Sequence, residues 1–288
     1  MSAPWALVCP SSRGIGFALT RHLLRTTRLP VLATTRHPEP GTTKAAILEG
    51  MESDGPAGSA GSAGSRLRVV RVDVTDEASV EAASRAARRL FPPARHHLHL
   101  GFAMPGVLTP EKSPAQVDAD AGLAMLRVNV LGPLLLMKHF AEFLPRRGTR
   151  LRAPGLDADA DADADAHGNG DGLAARAAWV FMSARLGSIA DNRSGGWFSY
   201  RASKAAVNSV AKSLDVMLRA RSGDKAVAVA YHPGTVRTGL SRDFWARVPQ
   251  DRLFSPEYAA ERMLSVVNGL HLGQRGKCLD WRGDEVPP

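Results

Sequence analysis

A tyrosine and a lysine stand four residues apart in the stretch Ser199-Tyr200-Arg201-Ala202-Ser203-Lys204. On a helix, residues with this spacing share one face, so Tyr200 and Lys204 would lie side by side. A phenol with an ordinary pKa near ~10 is a weak acid or base at neutral pH, whereas a neighbouring ammonium favours the phenolate and lowers that pKa. The pair could therefore exchange a proton with a carbonyl or alcohol oxygen. The plainer alternative is an exposed Tyr–Lys pair with no chemical role.

A glycine-rich turn follows the first apolar run of the chain, in Cys9-Pro10-Ser11-Ser12-Arg13-Gly14-Ile15-Gly16. Ile15, Leu19 and Leu23 then recur at helical spacing. A turn of this kind directs backbone N–H groups and a helix N-terminus toward a phosphate. By itself the pattern is weak, because an ordinary strand-to-helix turn also uses glycine.

Short apolar runs alternate with helical patterns over the whole chain, and these elements must position the residues above. Strands are predicted at 6–9, 30–35, 68–74, 98–103, 178–182 and 226–230, with helices after Gly14, from Thr75 or Asp76, over 116–143 and over 200–220. This alternation predicts an α/β fold with a parallel sheet covered on both faces. Because a glycine-rich turn follows the first strand, we expect a doubly wound Rossmann fold in one domain over 1–288.

Two segments lack the apolar periodicity of core elements. Residues 53–66 are rich in Gly, Ser and Ala, and residues 154–172 contain an Asp-Ala repeat. Both are predicted to be disordered insertions at the surface. The acidic repeat lacks the glycine and glutamate placement of a calcium loop, so no metal site is expected there.

The composition excludes several classes of protein. Hydrophobic residues are 44% and charged residues 23% of the 288, as in ordinary globular proteins. The longest apolar runs, such as 130–137, are well under the roughly 20 residues of a membrane span, and the opening residues carry no basic leader. Two cysteines cannot build a disulfide framework, so the cytoplasm is expected. The net charge of +9 is spread over scattered Lys and Arg, so no nucleic-acid partner and no membrane partner are expected.

Taken together, the motifs resemble those of the short-chain dehydrogenase/reductase family. The glycine-rich turn, Val72-Asp73-Val74-Thr75, Asn129-Val130-Leu131-Gly132, the Tyr–Lys pair and His232-Pro233-Gly234-Thr235-Val236-Arg237-Thr238 occur in the family's order across nearly the whole chain. Within the family, the stretches at 187–189, 195–197 and 276–281 are similar to the branch of sniffer-type carbonyl reductases and the bacterial C-signal protein.

The resemblance implies a function and a set of site residues. Tyr200 would be the general acid/base, Lys204 would hold the nicotinamide ribose and depress the tyrosine pKa, and Asn129 would anchor a water. The implied reaction is hydride transfer between a nicotinamide cofactor and a carbonyl or secondary alcohol. The cofactor would contact Ser11, Ser12, Arg13, Gly14, Ile15, Gly16, Arg36, Asp73, Val74, Ala103, Gly106, Asn129, Tyr200, Lys204, Pro233, Gly234, Val236 and Thr238.

Two arginines bear on the choice of cofactor. An acidic residue after the second strand would bind an unmodified ribose, whereas an arginine there pairs with a 2′-phosphate. The second strand ends in Thr34-Thr35-Arg36, with no acid, and Arg13 lies in the glycine-rich turn. NADP is therefore expected rather than NAD, unless both arginines are only solvated surface charges.

The chain departs from the family pattern at three places. Pro10 replaces the first glycine of the turn, and 103–106 reads Ala-Met-Pro-Gly instead of Asn-Asn-Ala-Gly. Counting back from Gly187, the family's catalytic serine position falls on Ala184. Ser183 is the substitute we expect in the carbonyl-polarising role, although adjacent strand residues point to opposite faces. Ser188 is a further option.

An NADP-dependent carbonyl reductase of a small to medium apolar substrate is thus the leading hypothesis. The rival is an NADP-binding protein with little turnover, a redox sensor or signalling partner, because the departures fall on the reactive positions. Family members often form homodimers or homotetramers, which the resemblance implies here too. Four aromatic residues could line an apolar substrate wall or simply pack: Trp197, Phe198, Phe244 and Trp245.

Overall fold

The computed structural model describes residues 1–51, 63–151 and 173–288. Its strands are β1 (Ala3–Cys9), β2 (Val31–Thr35), β3 (Leu67–Arg71), β4 (His96–Ala103), β5 (Ala177–Met182), β6 (Ala226–His232), β7 (Thr235–Val236), β8 (Leu253–Phe254), β9 (Cys278–Asp280) and β10 (Glu285–Val286). Eight of them form one sheet in the order β10-β9-β6-β5-β4-β1-β2-β3, and β7 pairs with β8. Neighbours in the large sheet are parallel, except that β10 runs antiparallel to β9.

The helices are α1 (Gly14–Thr26), α2 (Pro40–Leu48), α3 (Ala63–Arg66), α4 (Glu77–Leu90), α5 (Ala119–Leu126), α6 (Gly132–Phe140), α7 (Phe198–Ser222) and α8 (Pro256–Asn268). Alternate residues of β1 enter two separate cores, because successive strand side chains point to opposite faces. Trp5 and Leu7 pack with α4, α6 and α7, whereas Ala6 and Val8 pack with α1 and α8. The sheet is covered on both faces, and the predicted doubly wound α/β fold is confirmed.

One predicted helix has an internal irregularity. The run expected over 116–143 contains α5, a π-helical turn at Arg127–Leu131 and α6. The continuous stretch Ala119–Phe143 is long and apolar enough to cross a membrane by length and composition alone, with 33% of its apolar window buried. A helix packed on a soluble core passes the same test, so this one helix is weak support for a membrane span.

The two segments predicted as insertions fall mostly outside the described residues, at 53–62 and 154–172. The end of the first segment is different, since residues 63–66 form α3. The Arg66 guanidinium donates to the carbonyls of Leu24, at 2.7 Å, and Thr27, at 2.8 Å. These bonds join α3 to the end of α1, which linker-like composition alone did not indicate.

A buried ion pair attaches α7 to the sheet. Asp215 of α7 is fully buried, and its Oδ1 accepts from Arg275 Nε and from the Ala228 N–H of β6, both at 3.1 Å. Removing one partner of a buried pair leaves an uncompensated charge and is strongly destabilising. The position of α7 on the sheet is therefore held by its C-terminal half.

Two histidines of β4 form a buried chain at the opposite end of the sheet from the carboxyl ends of the strands. His97 Nδ1 lies 3.1 Å from Ser2 Oγ, His97 Nε2 lies 3.4 Å from His99 Nδ1, and His99 Nε2 lies 2.9 Å from the Ala174 carbonyl. Burial lowers the pKa of His97 to about 3 and that of His99 to about 4. Both rings are therefore neutral in the folded protein over most of the pH range.

This burial predicts a loss of stability in mild acid. The unfolded chain takes up protons at His97 and His99 as the pH falls below about 6.5, while the folded protein does not. The free energy of unfolding should therefore fall by up to about 1.4 kcal/mol per pH unit for each histidine below that pH. Urea unfolding at pH 7.5, 6 and 5 measures this slope. The double variant His97→Asn, His99→Gln should make the slope shallower, and His37→Asn, on an exposed histidine, should not. Burial also lowers the pKa of His232, to about 4, so part of the slope remains in the double variant. An equal slope in the wild type and both variants contradicts the prediction.

Candidate functional site

The predicted reactive residues converge at the carboxyl edge of the sheet. Cys9 of β1 lies opposite Ala103 of β4, and the ends of β5 and β6 lie beside them. In parallel sheets flanked by helices, ligands bind in the crevice outside this edge. The glycine-rich turn, the segment after Ala103, the end of β5 and the loop after His232 all open onto it.

Tyr200 and Lys204 occupy the first two turns of α7, as their spacing predicted. Both are buried, with Tyr200 6% and Lys204 2% exposed. Lys204 Nζ lies 5.7 Å from the centre of the Tyr200 ring and donates to the Met182 carbonyl at 2.8 Å. The Tyr200 hydroxyl has no hydrogen-bond partner among the described residues. Helix α7 orients this hydroxyl at the edge of the sheet and leaves it free to bind a ligand.

Burial controls the pKa values of both groups. Burial lowers the pKa of the Lys204 ammonium to about 8, with an opposing contribution from Cys278, and burial raises the pKa of the Tyr200 phenol. The predicted lowering of the tyrosine pKa by Lys204 is therefore wrong for the free protein. The reason is distance and direction, because the ammonium hydrogen bonds to the end of β5 rather than to the phenol.

Asn129 lies in the π-helical turn between α5 and α6 and is fully buried. Its Nδ2 donates to the Val107 carbonyl at 2.9 Å and to Ser203 Oγ at 3.1 Å, and its Oδ1 accepts from the Val107 N–H at 2.8 Å. Ser203 Oγ in turn donates to the Tyr200 carbonyl at 2.7 Å. Asn129 thus links the segment after β4 to the turn of α7 that carries Tyr200. π-Turns of this kind often occur at functional sites because they release backbone groups from regular pairing.

The substitute expected at the serine position is wrong. Ser183 Oγ donates to Asn208 Oδ1 at 2.6 Å, one turn of α7 beyond Lys204, and so points away from Tyr200. Ala184 instead packs in one apolar cluster with Tyr200 and Met125. The strand alternation past the end of β5 decides this, because adjacent residues face opposite sides.

Ser188 also lies away from the phenol. Its Oγ accepts from the Asp191 N–H at 3.0 Å and lies 3.5 Å from the Pro288 carbonyl. No hydroxyl among the predicted serines therefore faces Tyr200, and the position that does face it carries a methyl group.

The glycine-rich turn leads directly into α1. Gly14 has a φ of +58°, and a Cβ at Gly16 would lie 1.9 Å from the Pro10 carbonyl oxygen, so a side chain cannot fit there. Arg13 precedes α1 and makes no side-chain cap, which leaves the N–H groups of the first turn open. Ser12 and Arg13 are exposed and Ile15 is half-buried. An open helix N-terminus behind a tight turn suits a pyrophosphate.

Ser11 does not belong with these residues. It is fully buried, its Oγ donates to the Val8 carbonyl at 2.8 Å, and its N–H donates to the Thr34 carbonyl at 2.8 Å. Because both donors are used inside the protein, the prediction that Ser11 contacts a cofactor is wrong.

The residues expected around the adenosine lie after β2 and β3. Arg36 is exposed directly after β2. Hydrogen bonds from the Thr75 N–H and hydroxyl, at 2.9 and 2.7 Å, lower the pKa of Asp73, with smaller contributions from Arg36 and Arg71. The Val74 side chain packs against Gly132, where an added Cβ would lie 2.9 Å from Val74 Cγ2.

The segments after β4 and β6 bring the two ends of the expected cofactor site together. A Cβ at Gly106 would lie 3.8 Å from Lys204 Nζ, and a Cβ at Gly14 would lie 3.2 Å from Thr238 Cγ2. Gly234 has a φ of +76° and packs against Phe254, where a side chain would not fit. The remaining predicted residues of these segments are buried: Ala103, Pro233 and Val236.

Of the four aromatic residues, two form a wall at the phenol. Trp197 lies edge-on to Tyr200 with ring centres 6.2 Å apart, and its ring centre lies 4.7 Å from that of Phe244. Phe198 is exposed, and Trp245 Nε1 donates to Ser241 Oγ at 2.9 Å. The apolar wall is therefore Trp197 and Phe244 rather than all four.

Glu111 and Ser203 are polar residues of this site that the sequence did not single out. Glu111 is only 3% exposed although it lies in the loop after β4. Its surroundings in sequence, Leu-Thr-Pro-Glu-Lys-Ser-Pro, look like any surface loop. For Ser203, its place inside the Tyr–Lys motif was a usable signal.

No protein-family model matches the chain. Three curated proteins are similar to it. An uncharacterized oxidoreductase of Schizosaccharomyces pombe is 23% identical over 290 residues, which cover 97% of this chain and 96% of that protein. A 1-hydroxy-2-glutathionyl-2-methyl-3-butene dehydrogenase of a Rhodococcus species is 30% identical over 201 residues, 69% of this chain and 70% of that enzyme. The C-signal of Myxococcus xanthus is 36% identical over 106 residues, 37% of this chain and 58% of that protein.

Solved structures share the fold over the whole chain. The carbonyl reductase Sniffer of Drosophila melanogaster superimposes with a TM-score of 0.75 at 20% identity, covering 100% of both chains. An NADPH-bound carbonyl reductase from chicken fatty liver gives a TM-score of 0.75 at 23% identity, again covering 100% of both chains. These two structures show that the fold is shared. The family is shown by the Rhodococcus dehydrogenase, because its alignment with this chain has 30% identity and spans more than two thirds of both proteins. The protein therefore belongs to the short-chain dehydrogenase/reductase family of oxidoreductases, and it resembles the branch of the sniffer-type carbonyl reductases and the C-signal.

Proposed function

We propose that the protein is an NADP-dependent reductase that transfers hydride between NADPH and a carbonyl of a small to medium apolar substrate. The observation that carries this proposal is the hydroxyl of the buried Tyr200, which has no partner among the described residues and lies beside the buried Lys204 at the carboxyl edge of the sheet. A phenol with no internal acceptor is available to donate to a carbonyl oxygen.

The residues of the nucleotide end fit a dinucleotide phosphate. The uncapped start of α1 and the glycines at 14 and 16 would receive the pyrophosphate, and the exposed Arg13 and Arg36 are free to pair with a 2′-phosphate. The Asp73 carboxylate, fixed by Thr75, would lie on the adenosine side. The bound cofactor would supply the hydride, and the protein would supply its orientation and the proton.

Tyr200 would handle the proton. The raised pKa keeps the phenol protonated at neutral pH, so it can donate to the alkoxide that forms when a carbonyl accepts hydride. Lys204 and Asn129 would support Tyr200 without taking its proton. Lys204 would contribute its buried charge, and Asn129 would hold Val107 and Ser203 in place through hydrogen bonds. Lys204 would also hold the nicotinamide ribose of the cofactor.

The substrate side of the phenol is apolar. Ala184, Met125 and Trp197 pack around Tyr200 there, and Phe244 packs against Trp197. A carbonyl oxygen bound at Tyr200 would have one protein donor, and a second donor is worth about 10²–10³ in rate where a site has one. With one protein donor, the enzyme would be slow, or its substrate would have to polarise its own carbonyl.

The methyl group of Ala184 beside Tyr200 favours a second function. A family member with this substitution could bind NADP with little turnover and act as a redox sensor or signalling partner.

Two further features bear on the compartment and on partners of the protein. Both cysteines are free and buried, which agrees with a reducing compartment and the cytoplasm. Exposed apolar residues on α5 and α7, such as Leu123 and Val216, would suit pairing of two copies.

Replacing the phenol tests the enzyme function. We expect Tyr200→Phe to lower the rate of NADPH oxidation by about 10²–10⁴-fold, because it removes the proton donor and leaves the fold intact. The measurement is absorbance at 340 nm across a panel of apolar ketones, aldehydes and diketones. Tyr258→Phe, on the exposed tyrosine of α8, is the matched control. Turnover that survives Tyr200→Phe would rule out this role of the phenol, and NADPH binding without any turnover would favour the sensor.

Charge reversal tests the cofactor. Arg36→Glu should weaken NADPH binding about 10–100-fold without weakening NADH binding, since a charge-assisted pair contributes roughly 1.5–3 kcal/mol. Fluorescence titration with both nucleotides gives the two dissociation constants. Arg89→Glu, on the exposed face of α4, controls for the change in net charge. Equal losses for NADPH and NADH would show that Arg36 does not read the 2′-phosphate.

Restoring a hydroxyl tests the one-donor site. Ala184→Ser should raise kcat for simple ketones, by at most about 10³-fold, because the new hydroxyl faces Tyr200. Ala184→Cys is the control, being similar in size but a weak donor. Equal kcat values for the wild type and both variants would mean that the absent hydroxyl does not limit the reaction.

A further inference from the structure

The loop between β4 and α5 spans the site from one end to the other. Gly106 lies at Lys204, Val107 is hydrogen bonded through both backbone groups to Asn129, and Leu108 packs on the cluster of Ala184 and Tyr200. Three residues further on, Glu111 is buried at the start of α7. One loop therefore runs past Lys204, Asn129 and the cluster that contains Tyr200.

The Glu111 carboxylate binds the first turn of α7. Its Oε2 accepts from the Ser199 N–H at 2.8 Å, and its Oε1 accepts from the Ser199 hydroxyl at 2.6 Å. Ser199 is the second residue of α7 and Tyr200 is the third. The helix has no side-chain cap of its own, so a carboxylate from another loop takes that place. An anion at a helix N-terminus is favoured by both the free N–H groups and the helix dipole.

The turn before α7 has an unusual backbone that the same residue holds. Trp197 has a φ of +56°, and it follows Gly195 and Gly196, which also have positive φ. For a bulky residue this left-handed conformation is strained and persists only where the surroundings impose it. The Glu111 carbonyl accepts from the Trp197 N–H at 2.6 Å, which is one such constraint.

A second constraint on this turn comes from the helix itself. The Arg201 guanidinium donates to the carbonyls of Gly196, at 3.0 Å, and Gly195, at 3.3 Å, and to Ser194 Oγ at 3.1 Å. The Arg201 contacts join the turn before α7 to the helix itself. The Glu111 contacts join the turn and the helix to the loop that carries Val107. Of the two, only the Glu111 contacts set the position of Tyr200 relative to Asn129.

We propose that Glu111 is a positioning residue for Tyr200 and Trp197, a role that rests on the proposed reductase function. Its two oxygen atoms hold the Ser199 backbone and hydroxyl, and its carbonyl holds the strained Trp197. The phenol and the indole wall are thereby kept at a defined distance from the segment after β4 and from Asn129. Glu111 itself touches neither substrate nor cofactor.

Kinetics of two variants separate positioning from charge. Glu111→Ala removes both acceptors and should lower kcat by about 10²-fold, the cost of a reacting group displaced by about 1 Å. The KM for NADPH should not change, because the nucleotide end is untouched. Glu111→Gln keeps an oxygen for the Ser199 N–H and an amide for its hydroxyl, and should retain most of kcat. If Gln lowers kcat as much as Ala, or if Ala leaves kcat intact, the proposal is overturned.

A spectroscopic readout keeps the test independent of turnover. The chain has three tyrosines, so 3-fluorotyrosine labelling gives three ¹⁹F signals, assignable through Tyr231→Phe and Tyr258→Phe. In Glu111→Ala the Tyr200 signal should shift and broaden, and in Glu111→Gln it should stay near the wild-type position. A sharp, unshifted Tyr200 signal in Glu111→Ala overturns the proposal even if no carbonyl is ever reduced.

A side-chain cap on another helix provides the matched control. Ser255 Oγ accepts from the Tyr258 N–H at 3.1 Å and caps α8, as Glu111 caps α7. Ser255→Ala should move the Tyr258 signal and leave both the Tyr200 signal and kcat unchanged. If Ser255→Ala lowers kcat as Glu111→Ala does, loss of a helix cap anywhere explains the effect and the positioning role is refuted.

Discussion

Burial of the Lys204 ammonium is the constraint on which the rest of the site depends. A cation that is 2% exposed must find partners inside the protein, and it finds the Met182 carbonyl at the end of β5. To reach it, α7 has to lie directly against the turn after β5, where a Cβ at Gly187 would lie 2.7 Å from the Lys204 backbone. This close packing also lowers the lysine pKa and raises that of Tyr200, one turn before it.

The position of α7 is held by two carboxylates, one on the helix itself and one on a separate loop. In its C-terminal half, Asp215 belongs to the helix and binds the Arg275 guanidinium and the Ala228 N–H of β6. At its first turn, Glu111 belongs to another loop and binds the helix backbone. Between these points the helix carries the phenol, the ammonium and Ser203, so their geometry relative to the sheet follows from the two anchors.

The alternation of side chains past the end of β5 gives the site its chemical character. Ser183 faces the part of α7 where Asn208 Oδ1 accepts a hydrogen bond from its hydroxyl, whereas Ala184 faces the phenol. A hydroxyl one position away in sequence is thus on the wrong side of the strand. The consequence is a tyrosine in an apolar environment, with Trp197 and Phe244 close by, instead of a site with two donors.

The sequence by itself determined the fold class, the strand-end placement of the motifs and the pairing of Tyr200 with Lys204, because these depend on local periodicity and on residues close together in the chain. Tertiary structure alone decided which side chains face the phenol. Ser11 and Ser183 are next to the right positions in sequence, but internal acceptors bind their hydroxyls. Glu111, 88 residues from Ser199, reaches the site only through the crossing of a loop over α7. Such contacts arise from packing between distant segments, which no local pattern encodes.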